Sequence, residues 1–201
     1  RGAATRKKIN IKSTMMSKQL NKRLGLLIGV VGIAALVFFT LWHLFVRQPV
    51  VEVRVAGVDG ANDKDCYFVE PNFQLRWIHS VEKQWWEEQY QRIDGSSTED
   101  AELLLTTTYF EAFGAGTPST EALATIQKPG YLGYQINKKL PKLNWVVSRL
   151  TKGEIDYGNY QMLIHRWVPD YSEVTIMPTT YGFIDRFNKD LCHELPSDGS
   201  Q

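Results

Sequence analysis

The chain has 201 residues, 43% of them apolar and 22% charged, with 23 basic and 22 acidic side chains. That balance excludes wholesale disorder and the collagen-like and low-complexity classes. The charge is unevenly spread: residues 1–23 hold eight Lys/Arg and no acid, and residues 47–201 hold 15 bases against 22 acids, a net −7. A net-acidic body argues against a nucleic-acid partner, whose phosphates demand basic neutralisation.

Residues 1–23 read as a basic cytoplasmic N-terminus. Met15-Met16 looks like a natural start, which would make residues 1–14 non-native. Residues 24–46 contain no Asp, Glu, Lys or Arg. As a helix these 23 residues reach about 34 Å, enough for a bilayer core of about 30 Å with some tilt. The exit Leu44-Phe45-Val46-Arg47-Gln48-Pro49 lacks the small residues of a cleavage site, so an uncleaved anchor is expected, with a cleaved signal as the competing reading. The basic flank keeps the N-terminus inside and puts the body on the outer side, the periplasm of a bacterium. Trp42 and Phe45 suit an outer aromatic belt, and His43 is expected to reach the headgroups. Gly25, Gly29, Gly32 and Ala35 share one helix face, the small-residue spacing that lets membrane helices pack closely.

From residue 50 to about 180 the chain reads as one extracytoplasmic β domain. Alternation and β-branched or aromatic content mark strands at 50–55, 73–79, 85–93, 102–110, 144–149, 160–167 and 173–177. Asp94-Gly95-Ser96-Ser97 reads as a turn. Thr117 as cap, Pro118 at the first position and Glu121-Ala122-Leu123-Ala124 predict one short helix. The expected fold is mainly β: a single transmembrane helix followed by an antiparallel sandwich or partly open barrel with that short helix. The tail at 195–201 reads as disordered. Cys66 and Cys192 fit either a disulfide, for which the outer compartment is permissive, or two buried thiols.

The densest chemistry lies in residues 77–88. His79 and Ser80 are neighbours, so within a strand they face opposite sides and do not form a nucleophile–base pair. No Gly-x-Ser-x-Gly elbow occurs. If Val81–Gln84 is a hairpin connection, Ser80 faces Trp85, His79 faces Trp86 and Trp77 faces Glu88. One face then carries Leu75, Trp77, His79, Trp86, Glu88 and Tyr90, with His79 and Glu88 as diagonal partners. That pair reads either as a ligand site or as a polar pair fixing register. Glu82 and Lys83 at the turn read as solvated or as a charged contact for a partner. Gly114 and Gly116 read as a plain turn or an anion-holding loop. His79, His165 and His193 lack metal-ligand spacing, so no metal or other cofactor is expected.

The run Phe73-Gln74-Leu75-Arg76-Trp77-Ile78-His79-Ser80-Val81-Glu82-Lys83, then Glu87-Glu88 and Tyr90, then Phe113-Gly114-Ala115-Gly116 and Pro118, resembles the family called "domain of unknown function eighteen-fifty". The resemblance spans roughly residues 50–178 and departs in Trp85-Trp86 and in the long tail with Cys192. It implies a small bacterial membrane protein associated with tripartite ATP-independent periplasmic (TRAP) transporters of the TAXI type, which import organic anions. It implies no catalytic residue. His79, Ser80, Glu82, Lys83, Gly114 and Gly116 carry over as site or interface positions. The expectation is therefore a non-enzymatic inner-membrane accessory subunit, in contact with the lipid bilayer, the TRAP permease membrane subunit and the TAXI substrate-binding receptor. An extracytoplasmic small-ligand-binding or sensing module is the alternative, and an envelope hydrolase comes third.

Overall fold

A computed structural model describes residues 23–42, 45–56, 64–118 and 120–194. The basic segment before Arg23, the Met15-Met16 start, His43 and the tail at 195–201 lie outside the described residues. The chain divides into two units, Arg1–Val46 and Arg47–Gln201.

The first unit contributes helix α1, Arg23–Trp42, long and apolar enough to cross a membrane. Twenty residues rise about 30 Å, and the same features serve an anchor or a signal sequence alike. A Cβ added at Gly25, Gly29 or Gly32 would meet nothing within 4 Å, so nothing described in this chain requires that face to be small.

Among the described residues the second unit contains eleven strands: β1 Gln48–Val55, β2 Lys64–Phe68, β3 Asn72–Ile78, β4 Trp85–Ile93, β5 Glu102–Phe110, β6 Leu132–Leu140, β7 Leu143–Val147, β8 Glu154–Tyr157, β9 Tyr160–Met162, β10 Ser172–Tyr181 and β11 Asp190–Leu191. They form a five-stranded sheet, β11-β2-β1-β10-β7, and a six-stranded sheet, β6-β5-β4-β3-β8-β9. Every pairing is antiparallel except β11 with β2. The core lies between the sheets. Val51, Val53, Val55 and Phe68 from the first meet Phe73, Leu75, Tyr90, Leu103 and Ile155 from the second. Burying each such side chain stabilises by about 1.5–3 kcal/mol. Phe68 bridges the layers, its ring 4.5 Å from Tyr157 and 5.5 Å from Phe73 between centroids. This is the sandwich form of the expected mainly-β fold.

Strands β4 and β5 have the bounds their alternation suggests. Strand β10 runs four residues past the expected Met177, through Pro178. Proline lacks an N–H; Pro178 stands opposite Val51 of β1 and beyond the stretch that β7 pairs, Ser172–Ile176.

Among the described residues of 117–124 the helix expected from the Thr117 cap does not form. Thr117 Oγ1 donates instead to the Gly114 carbonyl at 2.9 Å. The following chain lies along the edge of β6, where Ala124 N–H donates to Gly133 O and Gln135 N–H to Ala122 O, both at 2.8 Å. An open sheet edge thus satisfies the amides that a helix would have satisfied internally. The short helix of the fold is α2, Ile164–Trp167, inside the stretch expected to be strand at 160–167. The fully buried Ile164 sits in its first turn.

Of the two readings for the cysteines, the structure forms the disulfide: Cys66 and Cys192 are bonded with Cα atoms 4.8 Å apart and a sequence separation of 126.

Candidate functional site

Strands β3 and β4 pair with Trp77 opposite Trp86, Ile78 opposite Trp85, Leu75 opposite Glu88 and Phe73 opposite Tyr90. The expected register is corrected by two residues. A shift of two leaves every side chain on its face, so Leu75, Trp77, Trp86, Glu88 and Tyr90 do line one side. His79 does not join them in the ladder. It opens a connection of six residues, His79–Gln84, closed by His79 N–H to Gln84 O at 2.8 Å and Lys83 N–H to His79 O at 3.0 Å. Lys83 takes a left-handed φ of 58° to complete it.

This longer loop replaces the expected His79–Glu88 pair by another. His79 Nδ1 meets Glu82 Oε2, and the imidazole lies over the Trp86 ring with centroids 5.3 Å apart. The other Glu82 oxygen, Oε1, accepts the Ala115 N–H at 2.6 Å. That backbone hydrogen bond, more than the neighbouring His79, holds the Glu82 carboxyl below its usual pKa. A Cβ on Gly114 would overlap Glu82 Cγ and Oε1, so a larger residue there would displace the carboxylate. Gly116 sits at φ +80°, a conformation glycine adopts without strain.

A second tie runs beside the first. Gln84 Nε2 donates to Ala112 O at 2.7 Å and its Oε1 accepts the Ala112 N–H. Trp85 N–H reaches Glu111 Oε2 at 3.2 Å. The two glycine- and glutamate-bearing segments singled out in the sequence are therefore one site, joined by the side chains of Glu82, Gln84 and Glu111. Ser80 and Lys83 point to solvent, and among the described residues Ser80 makes no hydrogen bond with His79. Glu82, by contrast, is committed to the second loop. Val81 and Phe113, one from each loop, are exposed.

Behind the loops runs a row of rings. Trp145 lies 6.0 Å from Trp77, Trp77 6.1 Å from Trp86, Trp86 5.2 Å from Phe110 and Phe110 5.8 Å from Tyr134. Glu88 sits half-buried on this face and accepts the Tyr90 hydroxyl. Burial pushes the Glu88 carboxyl above its usual pKa, against the opposing pull of Tyr90 and Trp86. Burial and the adjacent Glu88 likewise raise Tyr90. A raised folded pKa favours the fold below the unfolded value and loses that contribution as pH climbs through the folded one. Glu88→Gln is therefore expected to stabilise the domain near neutrality, with the gain vanishing at about pH 4. Urea midpoints at the two pH values check this; equal shifts would refute it.

The opposite face of β4 holds an ion pair on a buried carboxylate that sequence reading missed. Glu87 is only 2% exposed. Lys128 Nζ reaches its Oε1 at 2.7 Å and Oε2 at 2.5 Å, and Arg76 Nε lies 3.3 Å away. Arg76 also reaches Glu154 at 3.5 Å and covers the Trp85 ring at 3.8 Å. Lys128 ends the segment that carries Gly114–Gly116, so this pair fastens the second loop to the sheet from outside. Alternation in β4 puts Glu87 on that face, but its partner is 41 residues away.

Residues 73–163 match the model of the family described as Domain of unknown function (DUF1850). The match covers β3 through β9 and both loops of the site. No curated protein and no solved structure matches the chain.

Proposed function

With residues 73–163 a domain of the DUF1850 family, we propose that the chain is a non-enzymatic accessory subunit of a TAXI-type TRAP organic-anion transporter, anchored by α1. Its β unit would stand at the periplasmic surface of a bacterial inner membrane. The observation that carries this reading is the joining of the two motif loops through Glu82 and Ala115 at 2.6 Å. The most distinctive residues are spent on holding a surface in shape, with Val81 and Phe113 left outward. That is the economy of a docking face, where exposed apolar residues on a rigid frame supply contact area.

Three further features support the reading. The disulfide persists in an oxidising compartment. The basic flank before the span favours an inside N-terminus. The Gly25, Gly29, Gly32 and Ala35 face is open for a permease helix. The permease is the proposed membrane partner, and the TAXI receptor the partner of the loop face.

Mild-detergent purification of the tagged full chain is expected to bring down the permease. The double variant Val81→Ser with Phe113→Ser should keep that capture and lose receptor binding. A permease that never co-purifies would overturn the proposal. A ligand-binding or sensing module is the second reading, favoured by the half-buried Glu88 between Trp86 and Tyr90. Tryptophan fluorescence during titration with organic anions separates the two, because only a ligand site in the ring row responds.

A further inference from the structure

After β10 the chain makes a 3₁₀ turn, Ile184–Phe187. With three residues per turn, Ile184 and Phe187 project on the same side. They are 72% and 76% exposed, and Phe183, whose ring centroid lies 5.5 Å from that of Phe187, is 39% exposed. The turn is firmly built. Asp185 accepts the Gly182 N–H at 2.6 Å and pairs with Lys189 at 3.4 Å, and the Asn188 and Lys189 amides return to the Asp185 carbonyl at 3.1 and 2.8 Å. Three large apolar side chains are thus held outward on a braced loop, an arrangement that costs solubility and marks a contact surface.

Its position in the β unit names the contact. Tyr181 pairs with Gln48, and Gly182 lies beside the Arg47 side chain, with an added Cβ 3.7 Å from Arg47 Cγ. Arg47 directly follows Val46, the last residue of the apolar run. Two residues of extended chain reach about 7 Å. Whatever direction the helix takes, the covalent link keeps the start of β1, and with it this turn, close to where the chain leaves the lipid. Arg47 and Arg186 are exposed at the same end, the charge that suits anionic headgroups.

We infer that Phe183, Ile184 and Phe187 form a second membrane contact, dipping into the headgroup–acyl boundary of the bilayer and fixing the orientation of the β unit on it. The inference rests on the anchor part of the proposed function and needs no transporter. Amphipathic elements bind membranes this way through apolar area and basic flanks. A single weak insertion suffices here, because the anchor already holds the turn near the surface.

The test uses the full chain reconstituted in vesicles of phosphatidylcholine and phosphatidylglycerol, with no other protein. An environment-sensitive fluorophore is placed by Phe187→Cys, and in a second sample by Glu173→Cys near the other end of β10. The label at 187 is expected to emit to the blue of the label at 173. It should also be quenched several-fold more by a nitroxide lipid carrying its spin near the headgroup. Adding Phe183→Ser and Ile184→Ser should weaken both signals while near-ultraviolet circular dichroism stays unchanged. Protein that floats with the vesicles but shows water-like emission at 187 overturns the inference and leaves the anchor standing. Protein that fails to float overturns the anchor and the contact together. Burial at 187 that appears only after adding permease overturns the lipid assignment in favour of a protein contact.

Discussion

Replacing Cys66 and Cys192 by serine is expected to lower the stability of the β unit by about 5 kcal/mol, read as a loss of urea midpoint against the oxidised chain. The size follows from the loop. Residues 126 apart in sequence are tied together, and a cross-link of that span removes a large share of the unfolded chain's freedom. The backbone pairing of this segment is short, β11 with β2 over Asp190–Cys66 and Leu191–Tyr67, helped by the Tyr181 hydroxyl on the Lys189 carbonyl and the His193 ring on Tyr160. Both sulfurs belong to the main core, so serine hydroxyls there would also be buried without designed partners. The 3₁₀ turn carrying Ile184 and Phe187 precedes the bridge, and the small buried cluster of Val50, Tyr67 and Tyr181, with Leu191 packed against it, should loosen when the bridge is lost. A double variant within about 1 kcal/mol of the parent would show that the bridge closes a loop already closed by packing.

Lys128→Met is expected to cost about 2 kcal/mol, the low side for breaking a buried ion pair because Lys128 itself is half-exposed. The charge left behind is the reason. Glu87 is 2% exposed and would keep only Arg76, which is shared with Glu154. Adding Glu87→Gln should recover much of the loss, since a neutral amide is far cheaper to bury than an unpaired carboxylate. Equal stabilities for the single and double variants would sink the coupling. The single variant should also free the segment that Lys128 fastens, and with it the Ala115 N–H that holds Glu82. Under the proposed docking role, that release would show as weakened partner binding without any change at Val81 or Phe113.

Much of this architecture is readable locally. The uncharged run at 24–46 is long enough for a helix and a membrane by count alone. Strands β4 and β5 follow from alternating, β-branched and aromatic residues, and the Asp94–Ser97 break separates them. The face shared by Leu75, Trp77, Trp86, Glu88 and Tyr90 is fixed by parity. Parity cannot distinguish registers two residues apart, however, and that step decides whether His79 faces Glu88 or meets Glu82. The register is set by the length of a loop whose shape depends on Gln84 finding Ala112 and Glu82 finding Ala115, both from another part of the chain.

The same division holds elsewhere. Thr117-Pro118 and the residues after them carry good helix signals, yet the open edge of β6 offers the same amides partners from outside. Strands β2, β6 and β8 escape sequence reading because their alternation is short or polar, and pairing with stronger neighbours makes them strands. Sequence alone determined what each segment is able to form and which face it turns inward, because backbone sterics and side-chain period act over a few residues. Tertiary structure decided which partners meet: Cys66 with Cys192, Glu87 with Lys128, and one motif loop with the other. Those contacts join residues far apart in the chain, and their free energy appears only once two sheets have closed on a common core.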